Sequence, residues 1–431
     1  MAAADTWSGR AGFILAAIGS AVGLGSIWKF PYEVGANGGA AFVLFYIAGL
    51  VVAVVPLMLA EFAIGRRGAG DAPASIERLA AAYGARRHWR WLGVLGVAAG
   101  ALILSFYSVI GGWTLAYTLD PATSYEALLA SPARLSAYHA LFLAAATAIV
   151  ARGVGKGIEA ACKVLMPLLA ALMFGLATYG VIAGDARATL HFLFKLDPSA
   201  FTARSALEAL GLGFFSIGVG FGLMITYAAY ARREIDLRRA ALWSVGADTA
   251  ISLAAGFAVF PLVFAHGLDP ASGPGLVFVS LPLAFERMPF GSAVALAFFA
   301  LLFVAALASA ISMLELVVSP VMRRLGWPRP VAAGAVSLGC FLAGLATVFS
   351  FNLCSHWTPT PYELIDHLTS NVMLPAGGLA LALFAGWGLP RQFLGEELGL
   401  TPSGGALLHW LLRWLTPALI AAVAFAPAFA A

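Results

Sequence analysis

Apolar residues along this chain come in long blocks, at roughly 10–35, 40–66, 90–119, 137–152, 158–183, 206–231, 239–266, 289–322, 330–350, 361–388 and 405–428. Most of these runs are long enough to cross about 30 Å of hydrocarbon as a helix. The pattern therefore predicts an all-α integral membrane protein with about eleven spans, a single membrane domain over residues 1–431. The connections at 184–205 and 267–288 are long enough to carry small helices of their own.

Two runs are interrupted by glycines. In the first, Gly19, Gly23 and Gly25 precede Lys29 and Pro31; in the sixth, Gly218, Gly220 and Gly222 lie close together. An unsatisfied backbone group in lipid costs several kcal/mol, so such a break survives only where protein or a cavity surrounds it. Freed carbonyls suit a small cation, and the N-terminus of the resuming half-helix suits a carboxylate. The breaks are five spans apart, which predicts two inverted five-helix repeats, about 10–183 and 206–388, plus an extra helix at about 405–428. Broken spans in corresponding positions of inverted halves point to a midplane site; glycines in membrane helices also serve close packing.

Composition agrees, with 61% hydrophobic and 11% charged residues, against about a quarter charged in soluble domains. The formal charge of +4 matters less than its distribution. Arg66, Arg67, Arg78, Arg86, Arg87, Arg90, Arg152, Lys156, Lys163, Arg232, Arg233, Arg238, Arg239, Arg323, Arg324 and Arg329 fall in alternate connections. The positive-inside rule makes those connections cytoplasmic, together with the N-terminus, and puts the C-terminus outside, in a plasma (cell inner) membrane. Nucleic-acid binding is excluded as the purpose of these charges. Cys162, Cys340 and Cys354 imply no disulfide framework. The apolar segment from Phe13 reads as a mature span and not a cleaved signal. H-E-x-x-H, G-x-S-x-G and the phosphate-binding loop motif are absent, so no enzyme is indicated.

Several motifs then combine: Gly19–Pro31, Asn37–Gly39, Pro56–Glu61 with Gly65 and Arg66, Tyr107–Trp113, Gly155–Glu159 to Pro167, Phe214–Tyr230, and Asp366–Pro375. In this order and spacing the chain resembles the neurotransmitter:sodium symporters, in particular their bacterial amino-acid transporters, which share the leucine-transporter fold.

The resemblance implies a site. The substrate carboxylate would meet the amides of Gly23 and Gly25, the Tyr107 hydroxyl and a sodium ion held near Ala21; the ammonium would meet carbonyls near Phe215 and Ser216. Ile103, Phe215, Phe221, Ser309 and Met313 would surround the side chain, although aromatic residues in a membrane core also simply pack. Gly218, where some relatives carry serine, leaves room and an apolar wall, which favours a bulky hydrophobic or aromatic amino acid. One sodium would use the Ala21 carbonyl with Ser26, Ser216 and Asp248. Asp248, where asparagine is common, is an ionisable group inside a span and hence a functional candidate; its fixed charge implies transport without chloride. Ser252 and Leu212 stand at positions resembling the anion site of chloride-coupled relatives. A second sodium would use carbonyls of Gly19, Val22 and Ala305 with Ser309, but Ala308 lacks a hydroxyl found in relatives, so one or two ions are implied.

Lys29 and Asp366 would form the outer gate, with Tyr107 and Phe221 beneath. Ala4 and Arg323 stand where the family carries an inner arginine–aspartate pair; Trp7 remains, and inner closure must rely on another group that the sequence does not name. Glu61 would bind the backbone of the sixth-span break. Gly157 and Pro167 would allow local unwinding on a release path. The function implied is sodium-coupled symport of an amino acid by alternating access. Two alternatives remain open at this point: a proton-coupled transporter of the same fold using Asp248, Glu61 or Glu315, and a non-transporting amino-acid sensor. The oligomeric state is not implied.

Overall fold

The computed structural model describes residues 6–120, 123–197, 199, 202–270, 276–286 and 288–429; Ala4 lies outside the described residues. Among them, nine helices are long and apolar enough to cross a bilayer: Ala40–Gly68, Arg87–Leu119, Pro132–Val150, Val154–Ala183, Leu237–Ala265, Gly291–Leu325, Arg329–Ser350, Pro361–Gly388 and Pro402–Ala424. A further span is a broken pair, Arg10–Ala21 and Gly25–Ala36, bent by 51°. The sixth expected span exists as two short helices, Ala203–Ile217 and Leu223–Ala229, neither long enough to cross alone. Counting it, we number spans 1 to 11 in chain order. Span 4 starts at Pro132 and not near residue 137, because Ser131 caps it: its Oγ accepts from the Arg134 N–H at 3.4 Å. The two long connections carry the helices Ala186–Phe194 and Leu281–Glu286.

The two breaks have different local causes. In span 1, Val22 turns extended at φ −81° and ψ 107°, ending the first half-helix. In span 6, Gly218, Gly220 and Gly222 take φ of +67°, +99° and +85°, a region side-chain-bearing residues rarely enter. The amides freed there are not left bare. Glu61, buried on span 2, accepts from the N–H groups of Gly220 at 2.7 Å, Gly222 at 3.2 Å and Met224 at 2.9 Å. This is the structural role expected of it. Span 2 can come so close because Gly65 faces the Ile225 carbonyl, where a Cβ would overlap the oxygen.

Burial sorts the spans into centre and periphery. The apolar window of span 8 is 78% buried and those of spans 3 and 7 are 67% buried, whereas span 11 is 28% buried. Both breaks therefore lie against well-packed helices, with spans 4, 5 and 11 more exposed. Hydrogen bonds gather the arginine-rich connections at one end. Arg66 Nη1 donates to the Ile235 carbonyl at 2.9 Å, Arg238 Nη1 to that of Gly399 at 3.0 Å, and Arg66 pairs with Glu397 at 2.6 Å.

Candidate functional site

Asp248 on span 7 is fully buried. Its carboxylate accepts from Tyr46 Oη at 2.7 Å, from Ser216 Oγ at 3.0 Å and from Ser26 Oγ. Ser26 lies at the start of the outer half of span 1, and Ser216 at the end of the first half of span 6, their hydroxyls 2.9 Å apart. Ser26, Ser216 and Asp248 were expected together and do converge; Ala21 is the last residue of the first half-helix. Tyr46 was not anticipated. Its signal was a phenol inside an apolar run, since a buried tyrosine hydroxyl normally finds a partner. Among the described residues no lysine or arginine pairs with Asp248. Burying an uncompensated carboxylate is costly, so this all-oxygen cluster favours a small hard cation. No group of three or more His, Cys, Asp or Glu gathers among the described residues, which leaves no transition-metal cage there.

A second oxygen cluster lies one turn away on span 1. Ser309 Oγ on span 8 points at the carbonyls of Val22 at 3.3 Å and Gly19 at 3.5 Å. Ala305 and Ala308 are buried on the same helix. A Cβ on Gly19 would sit 3.5 Å from the Ala308 methyl, so Ala308 presents carbon where a hydroxyl would face span 1. Ser312 Oγ donates to the Ser309 carbonyl at 2.7 Å and accepts from Ser20 Oγ at 3.1 Å.

Between the clusters lies the span 1 break. The Leu24 N–H donates to Tyr107 Oη at 3.4 Å. A Cβ on Gly23 would come within 2.7 Å of Ser309 Oγ and 3.3 Å of Tyr107 Oη, so glycine keeps this space open. Gly25 is buried against Ser216 and Phe215, and Gly218 is half-buried beside the Phe221 ring. Ile103, Tyr107, Ser216, Phe221, Ser309 and Met313 each keep 4–7% exposure amid neighbours at 0%, as side chains bordering a small internal space do. Among the expected substrate residues, Gly23 meets Tyr107 and Ser309, joining spans 1, 3 and 8, and Gly25 meets Phe215 and Ser216, joining spans 1 and 6.

The outer ion pair expected between Lys29 and Asp366 is not formed. Lys29 Nζ instead lies 4.7 Å from the centre of the Phe215 ring, and Asp366 accepts from Ser370 Oγ at 2.9 Å. A cavity of about 930 Å³ lined by Lys29, Phe215, Ser370 and Asn371 occupies this side.

The opposite side is shut. Trp7 Nε1 donates to the Tyr227 carbonyl at 2.8 Å, and its backbone N–H to that of Tyr230 at 3.3 Å. The Ser8 N–H donates to Glu159 Oε2 at 2.8 Å. Arg323 binds Asp71 through two contacts, Nη2 to Oδ1 at 2.8 Å and Nε to Oδ2. The Trp7 contacts and this arginine–aspartate pair hold the arginine-rich end together, where the sequence left the closing groups unassigned. Glu315 is engaged as well, by Arg329 Nη1 at 2.5 Å and by Tyr230 Oη at 2.7 Å. Gly157 sits in a π-helical turn, Val154–Glu159, and Pro167 lies inside the continuous helix Ala160–Ala183, so the segment between them is wound.

Known proteins resemble this chain over nearly its whole length. A solved structure, MhsT in complex with L-phenylalanine, superposes with a TM-score of 0.90 at 42% identity, covering 98% of this chain and 99% of that one. The Bacillus subtilis protein named as an uncharacterized sodium-dependent transporter, YhdH, is 36% identical over 434 residues, 96% of this chain and 95% of its own. The bovine sodium-dependent dopamine transporter is 27% identical over 481 residues, covering 95% of this chain and 66% of its own. A family profile, the sodium:neurotransmitter symporter family, matches residues 4–130 and 125–355. With both broken spans, the oxygen clusters beside them and these near full-length matches, the chain belongs to the sodium:neurotransmitter symporter family, a family of transporters and not of enzymes.

Proposed function

We propose that this protein is a sodium-driven symporter of a bulky apolar or aromatic amino acid, working by alternating access and without chloride. The observation that carries the reading is the buried Asp248 carboxylate, ringed by Tyr46, Ser26 and Ser216 at the span 1 break. In this reading sodium sits between those oxygens and the Ala21 carbonyl, and Asp248 supplies the balancing charge that a bound anion would otherwise provide. The amides around Gly23, Leu24 and Gly25, with Tyr107, take the substrate carboxylate; Gly218 and the ring of Phe221 leave room for a large side chain. The neighbour solved with L-phenylalanine supports that substrate class.

A second sodium would rest on Gly19, Val22, Ala305 and Ser309, weakened by Ala308. The arginine-rich end faces the cytoplasm, and the halves 10–183 and 206–388 form inverted repeats. One sodium entering down 100 mV supplies about 2.3 kcal/mol, roughly fifty-fold accumulation. The test is binding of an amino-acid panel to purified protein in sodium, then potassium, with chloride replaced by gluconate. Sodium-dependent binding led by phenylalanine-sized apolar amino acids and unchanged in gluconate is expected. Sodium-independent binding refutes the reading and transfers it to proton coupling or sensing.

A further inference from the structure

The arginine-rich end carries a second pocket, away from both oxygen clusters. It has a volume of about 390 Å³ and is lined by Glu77, Arg90, Trp91, Val94, Arg323 and Arg324. It lies where span 3 begins, at Arg90, and span 8 ends, at Leu325. Three guanidinium groups meet one carboxylate there. Glu77 engages Arg90 at 3.6 Å, Asp71 engages Arg323 from outside the lining, and Arg324 has no ion-pair partner among the described residues. The pocket therefore keeps an excess positive charge that no ion pair among the described residues balances.

Two large apolar side chains stand exposed beside this charged lining. Trp91 is 57% exposed and Leu325 56% exposed beside those arginines. A small hydrated anion needs no such wall, and tryptophan at a helix end marks the interfacial depth of a bilayer. A phosphodiester joined to acyl chains satisfies both halves: guanidinium groups grip its unesterified oxygens in parallel pairs, and its chains run along the exposed apolar face. The geometry points to a binding site for the headgroup of an anionic glycerophospholipid, held by Arg90 and Arg324 with Trp91 at its rim. Basic pockets between spans take such headgroups. The site is separate from both oxygen clusters, so it stands whatever the transported solute proves to be.

Retention of lipid by the detergent-purified full chain tests this, read by native mass spectrometry against added phosphatidylglycerol or zwitterionic phosphatidylcholine. The double variant R90Q/R324Q should lower the affinity for phosphatidylglycerol about thirtyfold and leave phosphatidylcholine unchanged. Glu77→Gln removes the competing carboxylate and should tighten phosphatidylglycerol roughly fivefold, an effect that damaged folding does not produce. Arg187→Gln, at the other end of the molecule, should change nothing. Equal phosphatidylglycerol retention in wild type, R90Q/R324Q and Glu77→Gln overturns the proposal. So does its displacement by millimolar inorganic phosphate, which would make the pocket a small-anion site.

Discussion

Replacing Asp248 with asparagine separates charge from shape at the proposed cation site. The amide is nearly isosteric and keeps one oxygen toward Ser26 and Ser216, the donors on Oδ1. What disappears is a full negative charge in a fully buried position. An opposite charge within about 4–6 Å alters a group's proton affinity by roughly 1–3 pKa units, or about 1.4–4 kcal/mol. A sodium ion at the same distance feels the same field, so its affinity should fall about ten- to a hundredfold when the loss lies in the lower half of that range. Thermal stabilisation by sodium gives the readout. At a concentration a hundred times the wild-type Kd, binding stabilises by about 2.7 kcal/mol; a tenfold loss leaves about 1.4 and a hundredfold loss about 0.4 kcal/mol. Without sodium the sign reverses, because a neutral amide carries no burial cost of charge: the sodium-free variant should melt no lower than wild type. A variant that melts lower without sodium but keeps the full sodium-induced shift would refute the argument and make Asp248 a purely structural acid.

Other perturbations address separate parts of the molecule. Glu61→Gln leaves one acceptor oxygen for the three amides of the span 6 break and turns an NH₂ toward the rest; a loss of about 2 kcal/mol or more is expected in thermal unfolding. Ala308→Ser places a hydroxyl toward Gly19 and should tighten sodium several-fold and raise the sodium-to-substrate ratio, read by paired isotope flux. Arg323→Gln leaves the buried Asp71 carboxylate without its partner. It should increase labelling of an inner-side cysteine reporter, while an unchanged rate would show that the Trp7 plug alone holds that side.

Much of the site was legible because membrane burial makes polar exceptions conspicuous. Asp248 and Glu61 stand out within apolar runs, and glycine clusters mark both breaks. Tyr46 was hidden because a tyrosine in a span also reads as packing, and only the approach of span 7 supplies its carboxylate partner. The inner closure was hidden for a similar reason. Arg323 and Asp71 are 252 positions apart, and no local pattern announces their meeting. The Lys29–Asp366 pair is not joined in this structure: Lys29 lies over the Phe215 ring and Asp366 accepts from Ser370, neighbours set by tertiary packing and by the local helix respectively.

The sequence by itself determined the membrane spans, the places where two of them break and the kind of groups available there. These follow from local rules: a run of apolar residues must remain in lipid, and only glycine enters the left-handed backbone of span 6 readily. Tertiary structure alone decided which oxygens share a cation site, which end of the molecule is shut, and where three arginines surround one pocket. Those outcomes depend on side chains from distant spans reaching one point. Helix packing fixes that geometry, and spacing along a single chain does not.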